Sequence, residues 1–465
     1  MLLVNPPAPG SMGCASLKPG LGYIAESLEK ADIGCDVLDM DLGYTNRHLR
    51  HKIDRFMPDL IGITMVTYRY REAYRVIKYI KQLHNNIPIV AGGPHICTIG
   101  KQVLAECSSI DYAVSGEGED TVVELCQGKE PSRIKGLIYS DGKKIIANNK
   151  RPPISNLDRL PFPRYERFEL GKYVGRSIPI VSSRGCPYQC SFCTVSNSMG
   201  RRIRTRSPQN VVDEMAYWYG KGRRRFGFVD DNLTFYPERV FAICDEIERR
   251  NLNGLNLRCT NGIRADRATK KLLSRMKEVG FSAIGIGVES GSQSVLKKIN
   301  KNEELSKIEE TIQEACALGY DTILHFVVGA PGETMNDVRK SFELARRYPV
   351  RAVYFNSLIP YPRTPLYDSV REEGGFLFDP KQYLNSVTPL SGIPVFETSE
   401  LPKTERIRAL KDAETVERKV RTLYFKRRYK RLGPLSFPLA RVLASLDRAR
   451  EARPVRLFLR FMKPI

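Results

Sequence analysis

Short, mostly apolar runs alternate with longer amphipathic stretches from the first residue onward. Met1–Val4, Cys35–Leu38, Leu60–Thr64, Ile87–Ala91 and Tyr112–Val114 have strand length. Gly20–Lys30, Glu72–Leu83 and the stretch from Asp120 carry apolar residues at helical spacing. Buried strands separated by helices predict a Rossmann-like, doubly wound parallel sheet over residues 1–130. Ligands of such sheets lie beyond the carboxyl ends of the strands. Two turns fall there, Gly92-Gly93-Pro94-His95 and Gly116-Glu117-Gly118-Glu119. Glycine in these turns lets the backbone come close to a large flat ligand, although such turns also occur as ordinary loops. Neither turn is G-x-G-x-x-G, which argues against NAD.

Residues 131–176 read as a connector. Ile134–Tyr139 and Lys144–Ala147 form a hairpin about Asp141-Gly142. Pro152, Pro153, Pro161 and Pro163 then stiffen an extended segment, expected to strap one domain across the other. Alternation resumes over residues 177–385. Ile178–Ser183, Arg225–Val229, Leu255–Thr260, Ser282–Val288, Thr322–Val328 and Val350–Leu358 read as strands. Gln209–Tyr219, Pro237–Arg250, Arg267–Val279, Ser306–Leu318 and Met335–Tyr348 read as the helices between them. Right-handed crossovers in this number predict a partial (β/α)6 barrel of the TIM type, with function at the carboxyl ends of its strands. The last segment, 386–465, reads as helical over Glu405–Arg431, Leu435–Leu446 and Val455–Met462.

Composition narrows the setting. At 465 residues and 42% hydrophobic content the chain can fill more than one core. No apolar run approaches the ~18 residues of a membrane span. Met1–Val4 runs into Asn5-Pro6-Pro7 too soon for a secretory signal. Eleven cysteines without a disulfide pattern suit a reducing cytosol. The net charge is +22, but residues 401–465 hold 19 Lys and Arg against 6 Asp and Glu. The charge therefore describes the tail. Basic helices with apolar faces lie on anionic membranes. A solvated helical cap over the substrate site is the equal alternative. Nucleic acid is disfavoured, because no RNA-binding signature is present.

The chemistry centres on Cys186-Pro187-Tyr188-Gln189-Cys190-Ser191-Phe192-Cys193. Thiolates are preferred ligands of iron–sulfur clusters. Three of them leave one iron of a four-iron cluster open to a cofactor or substrate. A zinc site completed by a distant ligand is the plainer alternative, though no C-x-x-C partner or His pair follows at zinc spacing. Cys14, Cys35, Cys97, Cys107, Cys126, Cys244, Cys259 and Cys316 mostly read as inert core thiols. Polar residues follow the next four strands as well: Asp230-Asp231-Asn232, Asn261–Arg264, Glu289-Ser290-Gly291-Ser292 and Gly329–Thr334. Helix capping accounts for one such end; a full rim of them points to a site.

The cysteine triplet, with aromatic Phe192 before its last member, resembles the C-x-x-x-C-x-x-C signature of radical S-adenosylmethionine (SAM) enzymes. The first domain resembles the cobalamin-binding domain that precedes some of them. The matching pieces are Leu3–Pro7, Pro19–Tyr23, Gly92–His95 and Gly116–Glu119. The resemblance implies a [4Fe-4S] cluster on Cys186, Cys190 and Cys193, with SAM on the open iron. It implies that Asp230 or Asp231 holds the SAM amine, Arg264 its carboxylate and Glu289 its ribose, with Ser290 also in the cofactor site. Backbone at Val328–Gly329 would flank adenine. Gly92, Gly93, Pro94, His95, Gly116, Glu117 and Gly118 would line cobalamin. The D-x-H-x-x-G motif of other B12 proteins is absent, so the lower face of cobalt is expected without a histidine. Tyr361–Pro365 resembles a Pro-Gly-Thr-Pro turn with Arg363 in the glycine's place. The implied activity is methyl transfer to an unactivated carbon of a small or lipid-like substrate, with flavodoxin or ferredoxin as electron donor, in a low-oxygen cytoplasm. A non-methylating radical cyclase or rearrangement enzyme, a tRNA methylthiotransferase and a non-catalytic cobalamin sensor are the alternatives.

Overall fold

The computed structural model describes residues 1–7, 16–173, 177–387 and 392–449. The chain divides into two compact units. One comprises Met1–Arg176, Thr194–Arg204 and Leu384–Ser386; the other comprises Ser177–Cys193, Thr205–Tyr383 and Val387–Ile465.

In the first unit, β1 (Leu2–Asn5), β2 (Asp36–Asp39), β3 (Ile61–Thr64), β4 (Ile89–Gly92) and β5 (Tyr112–Val114) pair in parallel, in the order β2-β1-β3-β4-β5. This is the doubly wound sheet expected. Its strands are buried, with Leu2, Ile61 and Ile89 fully enclosed. Helix Pro19–Lys30 opens on proline, whose fixed φ suits a first helical position. It buries Leu21, Ala25 and Leu28, one face of the helical repeat.

The connector carries the expected hairpin and folds as part of the first unit. The hairpin strands β6 (Leu137–Ser140) and β7 (Ile145–Ala147) extend the same sheet to seven strands, β6 pairing antiparallel with β5. The proline-rich segment lies on the first unit's own opening helix. Arg164 N donates to the Glu26 carboxylate at 3.1 Å, and Arg167 Nε donates to Cys35 O at 2.9 Å. Gly22 makes room: a Cβ there would stand 2.7 Å from both Pro163 and Tyr165.

The second unit is built on β8 (Ile178–Ile180). Two-residue strands β9 (Ser183–Arg184) and β10 (Arg204–Thr205) bracket the cysteine loop along the chain. Then follow β11 (Arg225–Phe228), β12 (Asn256–Ile263), β13 (Phe281–Glu289), β14 (Asp321–Val328) and β15 (Ala352–Ser357). The six-stranded sheet runs β15-β14-β13-β12-β11-β8, every pair parallel, with helices between successive strands. This is the partial barrel expected. The predicted strand Ile178–Ser183 stops early because Ser182 N turns to donate to the Asp230 carboxylate at 2.7 Å. Its carbonyl instead accepts from Arg206 N and Arg239.

Helix Lys403–Arg428 of the basic tail packs over β15 and the helix Met335–Arg347. It buries Arg406, Ala409, Leu410, Ala413, Val416 and Val420 at helical spacing. Glu417 accepts from Phe355 N at 2.8 Å, and Tyr424 OH donates to Asp321 at 2.5 Å. The first tail helix thus covers the edge strand β15. Helix Ser436–Ala449 packs beside it through Ala440 and Ala444. The predicted stretch Val455–Met462 and Cys14 lie outside the described residues. Among the described residues no helix is long and apolar enough to cross a membrane.

Candidate active site

The cysteine loop leaves β9 through Gly185, whose φ of 89° takes the chain through a left-handed turn. Segments that follow β13 and β15 clamp it. Ser191 N donates to Ile299 O at 3.0 Å, and Asn300 Nδ2 to Gln189 O at 2.9 Å. Leu366 N donates to Ser191 O at 3.0 Å from the Tyr361–Pro365 turn. That turn keeps a glycine-like shape despite its arginine: Arg363 has φ 66°. Cys186, Cys190, Cys193 and Phe192 are half-buried. Burial pushes the Cys186 thiol up, and the Cys190 thiol up to about 11. Without a metal these are neutral thiols; a metal would take the protons' place. Among the described residues no three His, Cys, Asp or Glu side chains close on a single ion. Three thiols carried on one loop suit a four-iron cluster, which spreads its ligands over separate irons. The donor set fits the cluster.

The predicted rim residues fare differently. Asp230 is buried and spent inside the protein. Its carboxylate accepts from Ser182 N, Ser182 Oγ and Ser183 Oγ. Asp231 is exposed and accepts from Gly185 N at 3.1 Å, steadying the loop. Asn232 is buried with both side-chain amide atoms unpartnered. A buried orphan amide is costly unless something satisfies it. Arg264 stacks over Tyr188 at 3.5 Å and donates to Lys301 O, Asn302 O and Asp266. Ser290 is buried, its Oγ accepting from Ser292 N. Gly329 (φ 97°) donates its N–H to Glu333, and Arg406 of the tail helix lies against its open side. Burial pushes the Glu333 carboxyl up to about 7. Glu289 stands in the left-handed region at φ 63°, ion-paired to Lys301 Nζ at 3.1 Å.

Sequence reasoning missed Ile299–Glu303. This segment touches the cysteine loop through Ile299 and Asn300, Glu289 through Lys301, and Arg264 through two carbonyls. Glu303 accepts from Ala265 N at 2.8 Å. It therefore joins three strand ends. The available signal was weak: Asn300 and Asn302, residues that tolerate left-handed backbone, flank a lysine.

At the strand ends of the first unit, Gly92 and Gly116 each face open space where a Cβ would meet nothing within 4 Å. Gly93 has φ 106°, and a Cβ on it would stand 2.7 Å from Met65 O. Gly116 N donates to Cys97 Sγ at 3.3 Å, linking the two turns. Pro94 opens the short helix Pro94–Ile99. His95 on it is buried, stacked on Tyr70 at 4.4 Å, with both ring nitrogens unpartnered. Burial holds its pKa down to about 3, so the ring is neutral. Glu117 is committed elsewhere in the unit, accepting from Ile154 N and Arg204, each at 2.7 Å. Gly118 packs beside Ile24. The glycine-lined open strand ends suit a broad ligand such as cobalamin. A second polar cluster went unread from sequence. Asn5, Asp39, Asp41 and Arg69 form a buried network at the ends of β1 and β2.

Fold and site define a class, a radical SAM enzyme carrying a B12-type unit. The radical SAM superfamily model matches residues 180–345, and the B12-binding domain model matches residues 16–126. An uncharacterized methyltransferase of Pyrococcus horikoshii is 30% identical over 420 residues, covering 87% of this chain and 90% of that protein. The anaerobic magnesium-protoporphyrin IX monomethyl ester cyclase of Rubrivivax gelatinosus is 28% identical, covering 82% and 70%. The solved cobalamin-dependent SAM radical enzyme OxsB shares the fold with TM-score 0.74 at 17% identity, covering 99% and 72%. The chain belongs to the cobalamin-dependent radical SAM enzymes, whose cofactors are a [4Fe-4S] cluster, SAM and cobalamin.

Proposed function

We propose that the chain is a C-methyltransferase acting on an unactivated carbon of a small or hydrophobic substrate, with a lipid, isoprenoid or tetrapyrrole favoured. The carrying observation is the three-thiol loop among the strand ends of a partial barrel, in a chain that also holds a glycine-lined B12-type sheet. When bound, the cluster and SAM supply a carbon-centred radical and cobalamin supplies a methyl group. Cys186, Cys190 and Cys193 hold the cluster, with Phe192 beside the last. Asn232 offers its free amide, and Glu289 its carboxylate, to the polar parts of SAM. Asp230, Asp231 and Arg264 shape the loops around it. Gly92, Gly93, Pro94, Gly116 and Gly118 leave the room that cobalamin fills. His95, neutral and stacked, is not offered as its lower ligand. A flavodoxin or ferredoxin provides the electron.

Anaerobic turnover with deuteromethyl-labelled SAM tests the reading. Methyl transfer adds one labelled carbon to the product. A product without label, with 5′-deoxyadenosine still formed, would favour the cyclase-type outcome that the Rubrivivax relative's name suggests. A tRNA methylthiotransferase calls for a second cysteine cluster. Of the first domain's Cys14, Cys35 and Cys97, the last two are buried thiols and Cys14 lies outside the described residues.

The tail supports the hydrophobic substrate. Residues 418–446 carry nine Lys and Arg and no Asp or Glu. Leu423, Leu432, Leu435, Phe437 and Val442 are exposed among them. Aliphatic side chains gain nothing from nucleic-acid phosphates, and a second copy of so basic a patch would be repelled. An anionic membrane satisfies both features. The protein is expected to float with phosphatidylglycerol vesicles and not with phosphatidylcholine vesicles. Flotation unchanged by L435D/F437D would sink the membrane reading and leave methyl transfer standing.

A further inference from the structure

We propose that Lys301 is a positioning residue: its ammonium sets where the Glu289 carboxylate stands and fixes a positive charge against the cysteine loop. This rests on the radical SAM reading of that loop. The lysine side chain is buried, 3.1 Å from Glu289 Oε1 and 3.3 Å from Glu303 Oε2. The two carboxylates differ in what else holds them. Glu303 is also tied to the backbone, accepting from Ala265 N at 2.8 Å and Asp266 N at 3.3 Å. Glu289 rests on a left-handed backbone at φ 63° and is gripped at its tip by the ammonium. A cation held by one anchored carboxylate thus orients the other.

Lys301 is itself fixed. Its carbonyl accepts from Arg264 Nη1 at 2.9 Å. The two residues before it bind the cysteine loop at Ser191 and Gln189. The loop bound by those two residues carries Cys190 between Gln189 and Ser191, so the lysine is held beside it. A fixed cation beside cluster thiolates favours the more negative, reduced cluster. One side chain therefore links the residue expected to meet SAM with the group that must accept an electron.

The test uses the full chain, reconstituted anaerobically with iron and sulfide. Iron bound by wild type and lost in Cys190→Ala checks the cluster reading separately. SAM affinity is then measured by calorimetry without reductant, and the cluster potential by titration followed by electron paramagnetic resonance. Glu289→Gln and Lys301→Met should each weaken SAM binding about 10-fold, the scale of one charge-assisted hydrogen bond. The double variant removes the ammonium together with the Glu289 charge and leaves Glu303 on its backbone donors Ala265 N and Asp266 N, which guards against misfolding. It should bind no more weakly than either single variant, because the lysine acts through the glutamate. Lys301→Met should also shift the potential to more negative values, and Lys301→Arg should restore it. Additive losses in the double variant, or wild-type affinity and potential in Lys301→Met, would overturn the proposal.

Discussion

Replacing Cys190 with alanine should abolish reductive cleavage of SAM while leaving the fold intact. Two thiolates cannot hold a cluster that otherwise has three protein ligands, so the effect on 5′-deoxyadenosine release is a fall to background. The fold tolerates the change because the loop is held by other groups. Ser191 N to Ile299 O, Asn300 to Gln189 O and Leu366 N to Ser191 O all survive it. The side chain is half-buried and small, so the stability cost is about 1 kcal/mol. Iron content and 5′-deoxyadenosine after reduction are the measurements. A variant that keeps its iron and cleaves SAM would remove the basis for assigning the loop.

Gly93→Val should unfold the first unit's ligand edge, whereas Gly92→Ala should leave it folded. Gly93 has φ 106° and ψ −175°, a region that L-residues scarcely enter. Its Cβ would meet Met65 O at 2.7 Å and Met65 N at 3.2 Å, backbone atoms that belong to the loop after β3. Strain and overpacking together cost about 3–5 kcal/mol, or roughly 10 °C in melting temperature for a unit of this size. Gly92 faces open space, so its methyl group intrudes on the ligand and not on the protein. Thermal melts paired with cobalamin titration separate the two. The valine should lower both stability and binding, and the alanine binding alone. A valine variant that melts like wild type would mean that the turn is not held as described.

Much of the architecture was legible because parallel strands buried on both faces read as apolar runs between helices. The triplet was legible because its ligands are contiguous. What escaped depends on tertiary contacts between distant segments. Asp230 reads as a ligand from its place after β11, but Ser182 and Ser183 take up its oxygens from the neighbouring strand end. Its neighbour Asn232 is left with the unsatisfied amide. Glu117 reads as part of a ligand-binding turn, yet it holds Arg204, 87 residues away. Lys301 sits in a run of polar residues that looks like any solvated loop. Only the convergence of three strand ends buries it. The proline-rich segment has a partner, Glu26, that could not be read from composition.

The Glu417–Phe355 hydrogen bond has a practical consequence for anyone dissecting the chain. A half-closed barrel ends in a strand whose outward main-chain groups would otherwise recruit a neighbour's strand. Here a carboxylate from a helix sixty residues downstream occupies one of them, and the aliphatic face of that helix shields the rest. A catalytic fragment trimmed just after its last strand would therefore emerge with a sticky seam, and its insolubility would say nothing about its chemistry.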